Sequence, residues 1–244
     1  MSVLQQDLDR KAARMLEIYE RQQFNSPRAA QRVRLQMVSW VIRNKIKGSL
    51  KRLLDLALGS IAFLLLSPIM LVAAMLVKFT SPGPIFFKQE RVGMWGTRFQ
   101  CYKFRSMYID AEARKQELMA ENEADGPVFK MKNDPRITPV GRIFRKLSID
   151  ELPQLINVLK GEMSLVGPRP AVPAEVAEYE FEQLGRLGAM PGMTGLQQVS
   201  GRSDLDFTRW VELDLQYISE QSLWNDIKIL FKTIPAVLFS KGAY

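Results

Sequence analysis

The 244-residue chain contains no histidine and a single cysteine, Cys101. The first absence excludes imidazole general bases, Ser-His-Asp triads and His-ligated metals. The second excludes an internal disulfide and any cysteine cluster for zinc or iron–sulfur. The chain also lacks internal repeats, low-complexity tracts and any obvious linker after residue 80. What remains for chemistry is carboxylates, Lys, Arg, hydroxyls and hard metal ions. A chain of this length suits one domain with appendages, or two small ones.

The net charge of +8 is unevenly placed. Residues 1–52 hold 12 Lys/Arg against 4 Asp/Glu, whereas residues 53–244 hold 22 of each. The surplus lies ahead of the most apolar segment, Leu53–Val77, which reads LLDLALGSIAFLLLSPIMLVAAMLV. Basic residues massed beside apolar sequence point to anionic lipid head groups. A nucleic-acid arm is the competing reading, but no recognition motif or stacking pattern accompanies it.

Twenty-five residues would make a helix of ~37 Å, against a bilayer core of ~30 Å. Two features disturb a simple span: Asp55 near its start, and Ser67-Pro68 inside it, where proline removes a helical hydrogen bond. Split there, neither piece spans alone. Basic residues flank both sides (Arg43, Lys45, Lys47, Lys51 and Arg52 before; Lys78, Lys88, Arg91 and Arg98 after), which favours both ends facing the cytoplasm. A re-entrant hairpin satisfies this better than a kinked span or a buried soluble helix.

The pattern predicts amphipathic helices over residues 3–22 and 28–46, the second suited to a membrane interface or equally to the protein's own surface. Beyond the turn Thr80–Pro84, a short β-hairpin is predicted through Phe104. Helices follow over 108–124, a basic stretch ending near Lys146, 153–160 stopped by Gly161, 173–187, 207–219 and 223–238, with a loop opening at Pro191. The expected fold is α+β, mostly helical, with one short β-hairpin. Residues 1–47 form basic amphipathic helices, 48–80 a membrane hairpin, and 81–244 a catalytic domain.

Asp150-Glu151 is the candidate for chemistry. Ser148-x-x-Glu151 matches a helix capping box, a purely structural use of the acid. Pro153 discourages helix at Leu152, so the helix could instead begin at Pro153 and leave both carboxylates in its approach. Arg142, Arg145 and Lys146 precede the acids, Arg169 follows in a Gly-Pro-Arg-Pro turn, and Lys103 and Arg105 come from the hairpin end. Each could be a surface ion-pair residue. Brought together, they would make a cationic pocket around an acid pair, which phosphoryl transfer through a carboxylate nucleophile would require, and a divalent ion such as Mg²⁺ suits carboxylate plus diphosphate oxygens.

The strings KRLLDLALG, SPGPIFFKQERVG, CYKFRSM, GPVFKMKNDPRITPVGRIFRKLSIDELPQLINVLKGEMSLVGPRP and PGMTGLQQVSGRSD resemble the bacterial sugar transferase family over roughly residues 48–244. These are monotopic polyprenyl-phosphate phosphoglycosyl transferases that begin exopolysaccharide, capsule and O-antigen synthesis. The resemblance implies transfer of a hexose-1-phosphate from a UDP-sugar, glucose or galactose favoured, to undecaprenyl phosphate with release of UMP. It implies a ping-pong mechanism with Asp150 as nucleophile, Glu151 as Mg²⁺ ligand, and Arg145, Arg169, Lys103 and Arg105 on phosphates. Arg202 and Asp204 are donor-site candidates, with solvated loop charge as the bland reading. It also implies a helix broken at Ser67-Pro68 within one leaflet of the bacterial inner membrane, with the site on the cytosolic face.

Two positions depart from the family pattern. Gln197 stands where Trp is common and Met190 where Arg is common, which bears on the sugar. The larger members' multi-span N-terminal region has no counterpart in residues 1–47, which could instead serve a homodimer. The rival from another class is a catalytically silent adaptor that binds anionic lipid.

Overall fold

The computed structural model describes residues 27–118, 122–123, 128–129, 131, 133–201 and 205–238. The expected helix over residues 3–22, the end of the one over 108–124, and Arg202 and Asp204 lie outside them. The chain divides into two compact units, Met1–Lys51 and Arg52–Tyr244. In the first, the described residues belong to the opening of helix α1 (Pro27–Thr80). Leu35, Val38, Ile42 and Ile46 recur on that stretch at helical spacing and are all exposed.

The second unit is built on the rest of α1. Its residues fall into two sets. Asp55, Gly59, Ala73 and Val77 are buried, and Ala62, Phe63, Leu66 and Met70 pack on the core between them. Steps of three and four residues keep such positions on one helical face. Leu53, Ile61, Leu64, Leu65, Leu71, Val72 and Phe79 are exposed instead. Both ends of the buried seam are tied by polar contacts. Asp55 Oδ1 accepts from Ser164 Oγ and the Leu165 amide, each at 3.0 Å, while the Ser81 oxygens accept from Arg105 at 2.8 Å. Arg52 adds two hydrogen bonds to the carbonyls of Val158 and Leu159.

The expected interruption at Ser67-Pro68 does not end the helix, which is continuous through Pro68. Proline cannot donate to the carbonyl four residues back, that of Leu64. The Ser67 hydroxyl donates to that carbonyl at 2.8 Å and supplies the missing bond.

The β-hairpin forms as expected. Strands β1 (Phe86–Val92) and β2 (Arg98–Phe104) pair antiparallel, with Gln89 opposite Cys101 and Arg91 opposite Phe99. Phe104 stacks on Phe86 at 5.4 Å and meets Phe144 edge-on at 6.3 Å, closing a small core with Ala73 and Val77. Helix α2 (Ala111–Glu117) is short; α3 (Pro139–Lys146) starts with Pro139 at its first position and Thr138 as cap, its hydroxyl accepting from the Gly141 amide at 2.9 Å. A Cβ on Gly141 would collide with the Ser106 carbonyl, so glycine lets α3 lie against the segment after β2.

Helix α4 (Gln154–Lys160) ends at Gly161, whose φ of 85° suits the left-handed cap. Strand β3 (Ser164–Val166) pairs in parallel with β4 (Gly192–Thr194), a second sheet not expected from the sequence. The helix expected over 173–187 is instead α5 (Pro173–Ala177) and a 3₁₀ stretch, Gln183–Gly188. On one straight helix, Tyr179 and Arg186 would lie seven residues, ~10 Å, apart. The bent chain lets Arg186 donate to the Tyr179 hydroxyl at 2.7 Å and pair with Asp214 at 2.7 Å. Helices α6 (Leu196–Ser200), α7 (Phe207–Ser219) and α8 (Leu223–Leu238) complete the unit, the last two with the expected limits.

Candidate active site

Asp150 and Glu151 occupy a single 3₁₀ turn, Ile149–Glu151, ahead of α4. The capping box does not form. Ser148 adopts φ 56° and makes no side-chain cap bond, and α4 begins only at Gln154 after Pro153. Neither carboxylate is therefore occupied in capping a helix, and both lie in the approach turn.

The turn is held from two sides. Asn157, fully buried on α4, accepts from the Tyr102 amide at 3.0 Å and donates to the Gln100 carbonyl at 2.7 Å and to Glu162 at 2.6 Å. These bonds lock α4 to β2. Lys103, the next residue on that strand, reaches Glu151 Oε1 at 2.6 Å. On the other flank, α3 carries Arg145, whose charge acts on Asp150.

The two acids are electrostatically unlike. Asp150 is buried, 7% exposed. Burial, then the neighbouring Glu151 charge, raise its carboxyl to about 6, against the opposing pull of Lys103 and Arg145. Glu151 is half-buried, and burial pushes it up too, but Lys103, Arg169 and Arg91 prevail and bring it down to about 2. The pair thus divides into one acid held low by its cations and one raised by burial, so its members have different chemical capacities.

Arg169 sits exposed in the turn between β3 and α5, its guanidinium 5.9 Å from the Trp210 ring centroid. A Cβ on Gly167 would collide with the Met190 carbonyl, so this turn depends on glycine to lie against the chain entering β4. Arg105 is placed differently from its expected role. Its guanidinium is buried and donates to the carbonyls of Pro82 and Ser81 and to the Ser81 hydroxyl, at 2.7–2.8 Å. That engagement clamps the turn after α1. The structure therefore gathers Lys103, Arg145 and Arg169 around the acid pair and gives Arg105 to the clamp.

Two contributors were not singled out from sequence: Asn157 and Arg91. A lone polar residue in the apolar run Leu155–Leu159 was the available signal for the first. In the sequence Arg91 belongs only to the basic flank; in the structure it is buried and donates to the Pro170 carbonyl at 2.7 Å and to Gln89 Oε1 at 2.5 Å. Gln197 is buried on α6 and Met190 is half-buried.

Among the described residues no three acids, cysteines or histidines converge to hold a metal by themselves. The two adjacent carboxylates do fit Mg²⁺, which takes one or two protein carboxylates and completes its shell with water and substrate phosphate oxygens.

An acid pair ringed by lysine and arginine thus lies on an α+β unit that bears one long apolar helix with an exposed face. Residues 46–240 match the family described as bacterial sugar transferase, and the chain belongs to that family. It is 44% identical over 203 residues to the exopolysaccharide production protein ExoY of Rhizobium meliloti, covering 82% of this chain and 90% of that one. It is 48% identical over 203 residues to the undecaprenyl-phosphate galactose phosphotransferase of Salmonella typhimurium, covering 80% of this chain but 42% of that longer protein. It is 42% identical over 206 residues to the UDP-glucose:undecaprenyl-phosphate glucose-1-phosphate transferase of Caulobacter vibrioides, covering 80% and 72%.

Proposed function

We propose that this protein transfers a hexose-1-phosphate from a UDP-hexose to undecaprenyl phosphate through a covalent intermediate on Asp150. The observation that carries the reading is the unequal acid pair, with Lys103 on Glu151 and Arg145 and Arg169 alongside. Relatives named for galactose and for glucose transfer support the substrate class.

In the first half-reaction an Asp150 oxygen attacks the sugar-linked phosphorus. The bond from that phosphorus to the bridging oxygen breaks, and the electron pair leaves on UMP. In the second, an oxygen of the lipid phosphate attacks the same phosphorus and displaces the Asp150 carboxylate. The product is a lipid diphosphate sugar. A covalent intermediate lets one site serve a soluble donor and then a lipid acceptor. Arg145 and Arg169 stabilise the phosphate oxygens, and Lys103 holds Glu151 in place. Glu151, with Asp150 beside it, would hold Mg²⁺, which when bound supplies charge neutralisation on the diphosphate.

The exposed face of α1 supports membrane association. By length and composition Lys45–Thr80 could cross a bilayer, and only 17% of its most apolar stretch is buried in the protein. Residues at both ends and in the middle of the buried seam contact the rest of the unit. A helix so bound on one side is best covered on the other by a single leaflet, so we place it at the cytosolic side of the inner membrane without crossing it. Labelling single cysteines introduced as Lys47→Cys or Lys88→Cys, both exposed positions, in a Cys101→Ser background tests this: modification from one side is expected, and labelling from opposite sides contradicts it. For the activity, UMP release from UDP-galactose and UDP-glucose, with Mg²⁺ and with or without undecaprenyl phosphate, is the test. Stoichiometric release without lipid is expected; no release with any donor would leave the adaptor reading.

A further inference from the structure

The face of the β-hairpin that carries Lys103 also carries Arg91. Directly opposed residues of an antiparallel pair point to the same side, and so do residues two apart on one strand. The register therefore groups Phe87, Gln89 and Arg91 with Lys103, Cys101 and Phe99. Lys103 lies opposite Phe87, four residues from Arg91, which separates the two cations by ~13 Å along the ribbon. At one end Lys103 holds Glu151 at 2.6 Å. At the other, Arg91 Nη1 holds the Pro170 carbonyl at 2.7 Å, and the next amide, that of Val92, donates to the Ala171 carbonyl at 2.9 Å. Arg169 immediately precedes the two residues held.

The manner of Arg91's burial is informative. It is 7% exposed, its Nε–H lacks a partner, and no carboxylate lies within ion-pair distance among the described residues. Its acceptors are a carbonyl and an amide oxygen. A buried cation without a paired anion is costly, and an apolar side chain would pack there at lower cost. Burial and the neighbouring Arg169 charge pull its pKa down, and the carboxylates of Glu175 and Glu151 offset this only in part, so the cost is best recovered where Arg91 supports a site.

We propose that Arg91 is a positioning residue: through the Pro170 carbonyl it fixes the turn that presents Arg169, so that the hairpin sets the spacing between Arg169 and the Lys103–Glu151 end of the site. This rests on the reading above that Arg169 binds the donor's phosphates. A positioning role acts through Arg169 and disappears without it.

The test is a double-mutant cycle on full-length protein in detergent or nanodiscs, with Arg91→Gln, Arg169→Gln and the pair. The readout is kcat/KM for the UDP-hexose in UMP release, normalised to folded protein. Arg91→Gln alone is expected to lose about 10- to 100-fold, the range seen when residues supporting a ligating group are removed. In the Arg169→Gln background the same change is expected to cost less than about threefold. If the two losses multiply in full, or if the Arg91→Gln loss merely follows the folded fraction, the positioning role is overturned while the function stands. If Arg169→Gln alone keeps wild-type kcat/KM, the phosphate role of Arg169 falls, and the positioning role with it. Should the Gln variant not fold, Arg91→Lys decides: it keeps the charge but loses the planar fork. An intermediate loss that again vanishes without Arg169 is expected; wild-type kcat/KM would overturn the proposal.

Discussion

Two acid–base sites in this molecule use similar residues toward opposite ends. In one, Asp134 and Arg136 are both buried and satisfy each other: Arg136 Nε and Nη2 donate to both carboxylate oxygens at 2.7–3.2 Å, its amide donates to Oδ1, and its Nη1 reaches the Ala111 carbonyl. Burial raises the Asp134 carboxyl, but the Arg136 bonds prevail and hold it below its usual range. In the other, two adjacent acids face one ion-paired lysine, and Asp150 has no cation within ion-pair distance among the described residues. A matched pair with its hydrogen bonds filled is architecture. Asp150, buried without a paired cation, is not satisfied in that way.

Removing the central acid should produce the largest difference. Asp150→Asn is expected to lower turnover by at least about 10³-fold, as loss of a nucleophile does, with membrane binding and thermal unfolding near wild type. UMP release and vesicle co-sedimentation check both halves. Asp134→Asn should do the reverse: about 3–5 kcal/mol of stability lost because Arg136 stays buried without its anion, with specific activity of the folded fraction largely kept. Denaturant unfolding combined with activity per folded molecule tests it. If Asp134→Asn abolished activity without loss of stability, the distinction between the two sites would fail.

pH sharpens the comparison. In the proposed mechanism Asp150 attacks in its ionised form, and its carboxyl is raised from 3.8 to about 6. The donor half-reaction should therefore hold a plateau above about pH 6 and fall tenfold per unit below it, in kcat/KM for the free enzyme. Asp134 has the opposite sign: its folded value is depressed, so its contribution to stability is present above its unfolded value and is lost as pH falls through the folded one. Lys103→Met should move the acid limb upward while leaving the Asp134 contribution unchanged. The smallest effect belongs to the helix. Ser67→Ala leaves the Leu64 carbonyl without its substitute donor and should cost about 1 kcal/mol, read as a small fall in unfolding temperature.

Much of this was legible in residue patterns and some was not. Helices Phe207–Ser219 and Leu223–Leu238 followed from periodicity, and Gly161 and Pro153 marked the limits of α4 because their backbone constraints are local. The acid pair and its cations Lys103, Arg145 and Arg169 stood out by residue type, and the family resemblance named their expected roles. The paired strands Ser164–Val166 and Gly192–Thr194 did not stand out, since three residues carry no usable alternation and their partnership spans the sequence. Arg105 shows a different limit. Two residues from Lys103 it shares the composition of the cluster, but it follows the last residue of β2 and its side chain turns to Ser81 and Pro82. Arg91 and Asn157 act through a backbone carbonyl and strand amides, partners that no residue pattern names. At Ser67-Pro68 the proline predicted a break, and the neighbouring hydroxyl offset it.

The central claim is that Asp150 takes the phosphosugar covalently before any lipid is present. Intact-protein mass spectrometry after mixing with UDP-galactose or UDP-glucose and Mg²⁺, without undecaprenyl phosphate, tests it directly. A gain of one hexose phosphate is expected, matched by one equivalent of UMP, absent in Asp150→Asn and discharged when undecaprenyl phosphate is added. UMP release that requires lipid, with no mass gain at any time point, would contradict it.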